Sequence, residues 1–237
     1  MQVVQNTKIA VKQLGLIDYQ EALAAQEACY ATIVDQKSGR FTVGSATEPP
    51  PAGYLLFCQH PPVYTLGRRG SIDDLLVDAA ALQAQSIALY HVNRGGAITY
   101  HGPGQLVVYP IIDLEIFCRD IHRYLRLLEA AVIETLAYFN IASTRFPGLT
   151  GVWLKADKAT KQLDRKICAI GIRVSRWVTM HGLALNVNND LTPFWQIIPC
   201  GLPKAVTSMQ QELSKPVAVV TVSDVLEQII IGKLSYV

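Results

Sequence analysis

Apolar positions recur at helical spacing most clearly in one stretch, where Ile121, Leu125, Leu128, Val132, Leu136 and Phe139 are separated by steps of three or four residues. That spacing puts them on one face of a helix that packs on a sheet. Near the start of the chain, Asp18 and Glu21 form a capping signal ahead of Leu23, Cys29, Tyr30 and Ile33, which predicts a helix over 19–35. Residues 54–58 read as a short strand ended by Gln59, His60 and Pro61, and 106–112 is an almost wholly apolar run suited to a buried central strand. Further strands are expected at 151–154, 167–174 and 183–187, with helices near 208–213 and 223–231. The stretch 37–53 carries Gly, Ser, Thr and three prolines without periodicity, and reads as an exposed loop or insertion rather than a domain boundary. Helices and strands do not alternate regularly. The expected class is therefore α+β, a mixed β-sheet flanked by helices, in one domain spanning 1–237.

Composition narrows the choice of chemistry. The 237 residues are 50% hydrophobic and 17% charged, enough for one large core, yet no apolar run reaches the roughly 18 residues of a membrane span. No membrane role is expected. A net charge of +2 is too small to make nucleic acid the main partner. The first residues show neither a basic leader before an apolar block nor a small-residue cleavage site, which points to the cytoplasm. Cys29, Cys58, Cys118, Cys168 and Cys200 are odd in number and have no CxxC spacing, so free thiols are expected and neither a disulfide framework nor a zinc cluster is suggested. Separately, no motif calls for a metal, and no cofactor is expected.

Three segments carry candidate chemistry. Residues 94–105 contain Arg94, Gly95, Gly96, Ala97, Ile98, Thr99, Tyr100 and His101, followed by Gly102, Pro103, Gly104 and Gln105. This glycine density fits either a tight double turn or a backbone that approaches a ligand closely, with Arg94 able to pair with a phosphate or carboxylate. His101 and His181 each precede a glycine, where a side chain can project into a cleft or simply be satisfied structurally. Pro199-Cys200-Gly201 suits an exposed turn bearing a nucleophile. A thiol attacks carbonyls as the thiolate, which a nearby ammonium favours, and Lys166 at the opening of a strand is a candidate for that ammonium. Cys168, two residues along, is expected on the same strand face as Lys166 and is the rival nucleophile, although its apolar surroundings suit a core residue.

Together these segments resemble the lipoyl(octanoyl) transferases. The matching stretches are Gln59-His-Pro-Pro-Val-Tyr-Thr-Leu-Gly-Arg68, residues 94–105 with Tyr109-Pro110, Lys166-Ile-Cys-Ala-Ile-Gly171, His181-Gly-Leu-Ala-Leu-Asn-Val187 and Pro199-Cys-Gly201, with Val206-Thr-Ser208 following. The resemblance implies the fold of the biotin and lipoate protein ligases and transfer of octanoyl from octanoyl-acyl carrier protein to a lysine of lipoyl domains. The acceptors it implies are the lipoyl domains of 2-oxoacid dehydrogenase complexes and the glycine cleavage H protein. Carried onto this chain, the thioester-forming cysteine falls on Cys200 and the pKa-lowering lysine on Lys166. Substrate-binding backbone falls on residues 94–101, on Ala169, Ile170 and Gly171, and on His181, Gly182, Leu183 and Ala184. Acidic carrier domains would call for a basic rim, for which Arg68, Arg69, Arg94, Arg173 and Arg176 are candidates. The rival readings are an ATP-dependent ligase on the same fold, a non-catalytic carrier-binding module and a cysteine hydrolase.

Overall fold

The computed structural model describes residues 9–39, 51–157, 162–198 and 205–235. The chain opens with β1 (Ile9–Leu16) and α1 (Tyr19–Lys37), then β2 (Gly53–Gln59) and β3 (Val63–Leu66). After these come α2 (Ala79–Ala84), β4 (Ala88–His91), β5 (Ile98–His101), β6 (Gln105–Ile112), α3 (Leu114–Phe117) and α4 (Ile121–Tyr138). The remainder is β7 (Thr144–Phe146), β8 (Leu149–Leu154), β9 (Arg165–Ser175), β10 (Val178–Asn186), β11 (Ala205–Val206), α5 (Met209–Leu213) and α6 (Val219–Ser235). The large sheet runs β1-β2-β6-β10-β9-β8-β7, with β11 pairing β9, and a small sheet runs β4-β3-β5. Both sheets mix parallel and antiparallel neighbours: β1 with β2, β11 with β9 and β3 with β4 are parallel. The architecture is α+β, as expected.

Local signals account for the principal helices and the central strand. Asp18 caps α1 by accepting from the Gln20 N–H at 2.7 Å, and Asp120 caps α4 by accepting from the His122 and Arg123 N–H groups. β6 is buried along its whole length and alternates between two cores. Leu106, Val108 and Ile112 join the core with residues of α4 and α6, whereas Val107, Tyr109 and Ile111 join the one with residues of α1. The apolar stripe of α4 also contains a buried carboxylate that periodicity does not reveal. Glu129 is held by Arg126 and Arg145 and accepts the Gly151 N–H at 3.0 Å, so its charge is paired inside the protein.

Pro110 stands in the middle of this central strand and shapes what lies beside it. It has no N–H to offer, and the β6–β10 ladder stops at Leu183↔Val108. Beyond that point the Thr179 hydroxyl bridges the strands, accepting from the Ile112 N–H at 2.9 Å and donating to the Pro110 carbonyl at 2.6 Å. His181 takes a left-handed backbone, φ 59°, and its N–H donates instead to the Gln26 side-chain carbonyl on α1 at 2.9 Å. The expected strand 183–187 is thus the second half of a longer strand, and the His181-Gly182 step is a kink within it rather than a strand end.

Candidate active site

A cleft of about 560 Å³ opens on the α1 side of the large sheet. Its floor is made by cross-strand neighbours: Ala169 of β9 faces Ala184 of β10, which faces Val107 of β6. The glycine-rich segment forms another wall, anchored to β9 by a bond from the Gly95 N–H to the Ile172 carbonyl at 2.9 Å. A Cβ on Gly171 would stand 2.6 Å from the Gly95 carbonyl, so the close approach of these backbones requires glycine there.

The cleft brings together the side chains or backbone of Arg94, Gly95, Gly96, Ala97, Ile98, Thr99, His101, Lys166, Ala169, Ile170, Gly171, His181, Gly182, Leu183 and Ala184. Of the described residues carried over as catalytic or substrate-binding, Tyr100 alone does not line it. By strand alternation it joins the small-sheet core, packing against Tyr64 and Phe194. Cys200 lies outside the described residues, but the chain flanks the cleft on both sides of it. Phe194 lines the cleft before it, and Ala205 and Val206 line it afterwards, paired with Arg165 and Lys166.

Two expectations about side chains change. Arg94 is 8% exposed, and its guanidinium donates to the Thr65 carbonyl at 2.6 Å, the Thr65 hydroxyl at 2.8 Å and the Gly95 carbonyl at 3.0 Å. These internal bonds make it a brace for the glycine-rich wall rather than an exposed anion-binding or rim residue. Arg68, Arg69 and Arg176 are exposed and Arg173 is half-buried, with Arg69 at the cleft. Cys168 also separates from Lys166. The β8–β9 register shifts between Val152↔Cys168 and Trp153↔Lys166, so strict alternation does not carry from one residue to the other. Lys166 reaches the cleft with Nζ 4.6 Å from the centre of the Trp153 ring, whereas Cys168 is fully buried in the core and its thiol pKa is raised by burial. That environment disfavours a Cys168 thiolate.

Opposite the lysine, the cleft ends in a knot of rings. His60 shares a 2.8 Å hydrogen bond with the Tyr109 hydroxyl, His101 shares one of the same length with the Gln105 side chain, and Tyr19 stacks on His101. Burial pushes the His101 pKa down to about 3, helped by neighbouring His60, and the His181 pKa down to about 4, helped by Arg94 and Arg173. Both rings are therefore neutral near neutral pH. Each binds a proton more weakly in the folded chain than at its ordinary value of 6.5, so acidification below that value favours unfolding. Stability should fall by up to about 1.4 kcal/mol per pH unit for each such histidine as pH drops from 6.5 toward 4. Urea unfolding midpoints measured across that window check this, and His101→Gln should give a shallower decline. An equal decline in that variant would remove His101 from the account.

The site joins a cationic end to a largely apolar floor, a combination suited to holding an apolar acyl chain with its reactive carbonyl near Lys166. Comparison with known proteins makes the relationship specific. The model of the lipoyl protein ligase A/B catalytic domain matches residues 18–231. An octanoyltransferase of Cytophaga hutchinsonii is 51% identical over 222 residues, covering 93% of this chain and 90% of its own length. The chain belongs to the octanoyltransferase family. Its members are acyltransferases, and another, from Christiangramia forsetii, is 53% identical over 211 residues, covering 89% of this chain and 88% of that one.

Solved structures agree on the fold. A bi-partite lipoate protein ligase from Thermoplasma acidophilum superposes with a TM-score of 0.69 at 16% identity, covering 97% of this chain and 85% of that one. A lipoate-protein ligase A bound with ATP gives 0.67 at 15% identity, covering 98% and 86%. The family's lipoate-ligase-like fold is therefore the one seen here. No helix among the described residues is long and apolar enough to cross a membrane.

Family motifs pointed to much of the cleft, but not to Leu125, Gly148, Leu149, Thr150 or Phe194, nor to Tyr19 or Trp153. Tyr19 is one aromatic at the start of a helix with little segregation of apolar and polar residues, and Trp153 is one among several apolar residues of a strand. Neither has a local signature that distinguishes a cleft residue from a core residue.

Proposed function

We propose that this chain, as one catalytic domain, transfers octanoyl from acyl carrier protein to a lysine of lipoyl domains through a thioester on Cys200. The observation that carries this reading is the cleft itself: Lys166 stands at one end of an apolar track, and the chain on both sides of the Cys200 segment borders it. The octanoyltransferase relatives support the acyl group. A reaction of this kind serves lipoate biosynthesis in the cytoplasm, with lipoyl domains of 2-oxoacid dehydrogenase complexes and the glycine cleavage H protein as acceptors.

In the first step, the Cys200 thiolate attacks the carrier thioester carbonyl. A new carbon–sulfur bond forms, the bond to the carrier's thiol breaks, and that thiolate leaves with a proton available from Lys166. In the second step the acceptor lysine, as a neutral amine, attacks acyl-Cys200. An amide forms, the Cys200 thiolate departs, and the amine proton passes to a base, a role open to Lys166. Exchange between thioesters is nearly balanced and conversion to an amide is downhill, so the scheme has no nucleotide-dependent step.

Intact-protein mass spectrometry after incubation with octanoyl-acyl carrier protein, without ATP, tests the intermediate. Wild type and Cys168→Ala should each gain one hydroxylamine-labile octanoyl group, and Cys200→Ala none. An adduct that persists in Cys200→Ala, or no adduct on wild type, would remove Cys200 as the nucleophile and favour the adenylating-ligase reading.

A further inference from the structure

We propose that Tyr19 is the end stop of the cleft and sets the length of acyl chain that the enzyme accepts. This rests on the reading that the acyl carbonyl lies at the Lys166 end. From there the direct pairing of Ala169, Ala184 and Val107 makes a track across three adjacent strands, each about 4.8 Å from the next. The small side chains of the two alanines leave room above it. On the far side of that track stand Tyr109 of β6 and Tyr19 from the first turn of α1, and no β2 residue lines the cleft beyond them.

The stop is rigid because Tyr19 is held on several sides. Its ring stacks on Tyr90 at 5.5 Å between centres and on His101 at 6.2 Å, and is tilted against His60 at 5.3 Å. Those neighbours are themselves tied down: His60 to Tyr109 and to the Ile17 carbonyl, and His101 to Gln105. Tyr19 is 3% exposed, so its ring is packed over nearly all of its surface. An acyl chain that reaches this wall can place its terminal methyl against aromatic carbon, but a longer one must displace the ring from its stack. The ring nitrogens of His60 and the Tyr109 hydroxyl are hydrogen-bonded within the protein, as is His101 Nδ1 to Gln105.

A competition experiment reads the length preference directly. Hexanoyl, octanoyl, decanoyl and dodecanoyl thioesters of acyl carrier protein are offered together, and the acyl adducts on the enzyme are quantified by intact mass. Wild type should accumulate octanoyl. Tyr19→Ala should raise the decanoyl-to-octanoyl ratio by about tenfold or more, the worth of two newly buried methylenes, while Tyr19→Phe leaves it unchanged. Ala184→Val, which thickens the floor, should move the preference toward hexanoyl. If Tyr19→Ala does not fold by circular dichroism, Tyr19→Leu supplies the same comparison with less lost volume. An unchanged ratio in the folded shortened variant, or equal loss of octanoyl and decanoyl adducts, would overturn the end stop. No adduct of any length on wild type would instead overturn the thioester reading on which it rests.

Discussion

Lys166→Ala is expected to slow formation of the acyl-enzyme by about 10²- to 10⁴-fold, the ordinary contribution of a positioned proton-transfer group. Lys166 reaches the cleft from the β9 strand that also supplies Ala169, Ile170 and Gly171 to it. Its ammonium lies over the Trp153 ring, and Trp153 is 2% exposed and packs on Phe146, so the platform beneath the lysine is fixed. Loss of that cation–π contact should cost only about 0.5–2 kcal/mol of stability, which separates a folded, slow enzyme from an unfolded one. Lys166→Arg divides the two roles. A guanidinium can stabilise the Cys200 thiolate but cannot readily give up a proton to act as the base. Acyl capture should therefore recover more than transfer to the acceptor lysine. Single-turnover measurement of each half-reaction checks this, and near-wild-type rates in Lys166→Ala would dismiss the lysine from the mechanism.

The largest structural effect is expected at Gly182. A Cβ there would stand 2.1 Å from the Val108 carbonyl oxygen and 2.6 Å from Pro110 Cδ. These atoms belong to the backbone and a proline ring of the central strand, so neither can swing aside as the end of a flexible side chain would. Gly182→Ala must push β10 away from β6 and should destabilise by at least about 3 kcal/mol in urea unfolding. Gly232→Ala is the contrasting case: nothing lies within 4 Å of the added methyl, and the site is inside α6. That substitution should stabilise by about 0.5–1 kcal/mol through helix propensity. A loss below about 1 kcal/mol at Gly182 would mean that the strands separate more easily than their packing indicates.

Both effects arise from contacts between distant parts of the chain, and this marks how far the sequence could be read. The helix over 121–138, the helix from Tyr19 and the buried strand 106–112 were legible because their signals are local: apolar spacing, a capping aspartate and an unbroken apolar run. The small sheet was not legible, because β3, β4 and β5 are four residues each and too short for periodicity to separate strand from loop. β1, at Ile9–Leu16, was missed because Lys12 and Gln13 interrupt its apolar pattern and half of it is exposed.

Local signals in the chain are enough to set the class of fold and its principal elements, and the motifs mark the glycine-rich wall and the β9 and β10 strands that border the cleft, but not Tyr19, Leu125, residues 148–150, Trp153 or Phe194. Tertiary structure decided how those residues are used. It committed Arg94 to Thr65 and Gly95, divided Lys166 from Cys168 through a register shift, turned Tyr100 into the small-sheet core and set Tyr19 against His101. A residue's helical or strand preference is settled within a few neighbours, but the partner of a guanidinium, the burial of a thiol and the wall that an aromatic ring forms depend on chain segments tens of residues away. Those relations exist only once the sheets and helices have packed.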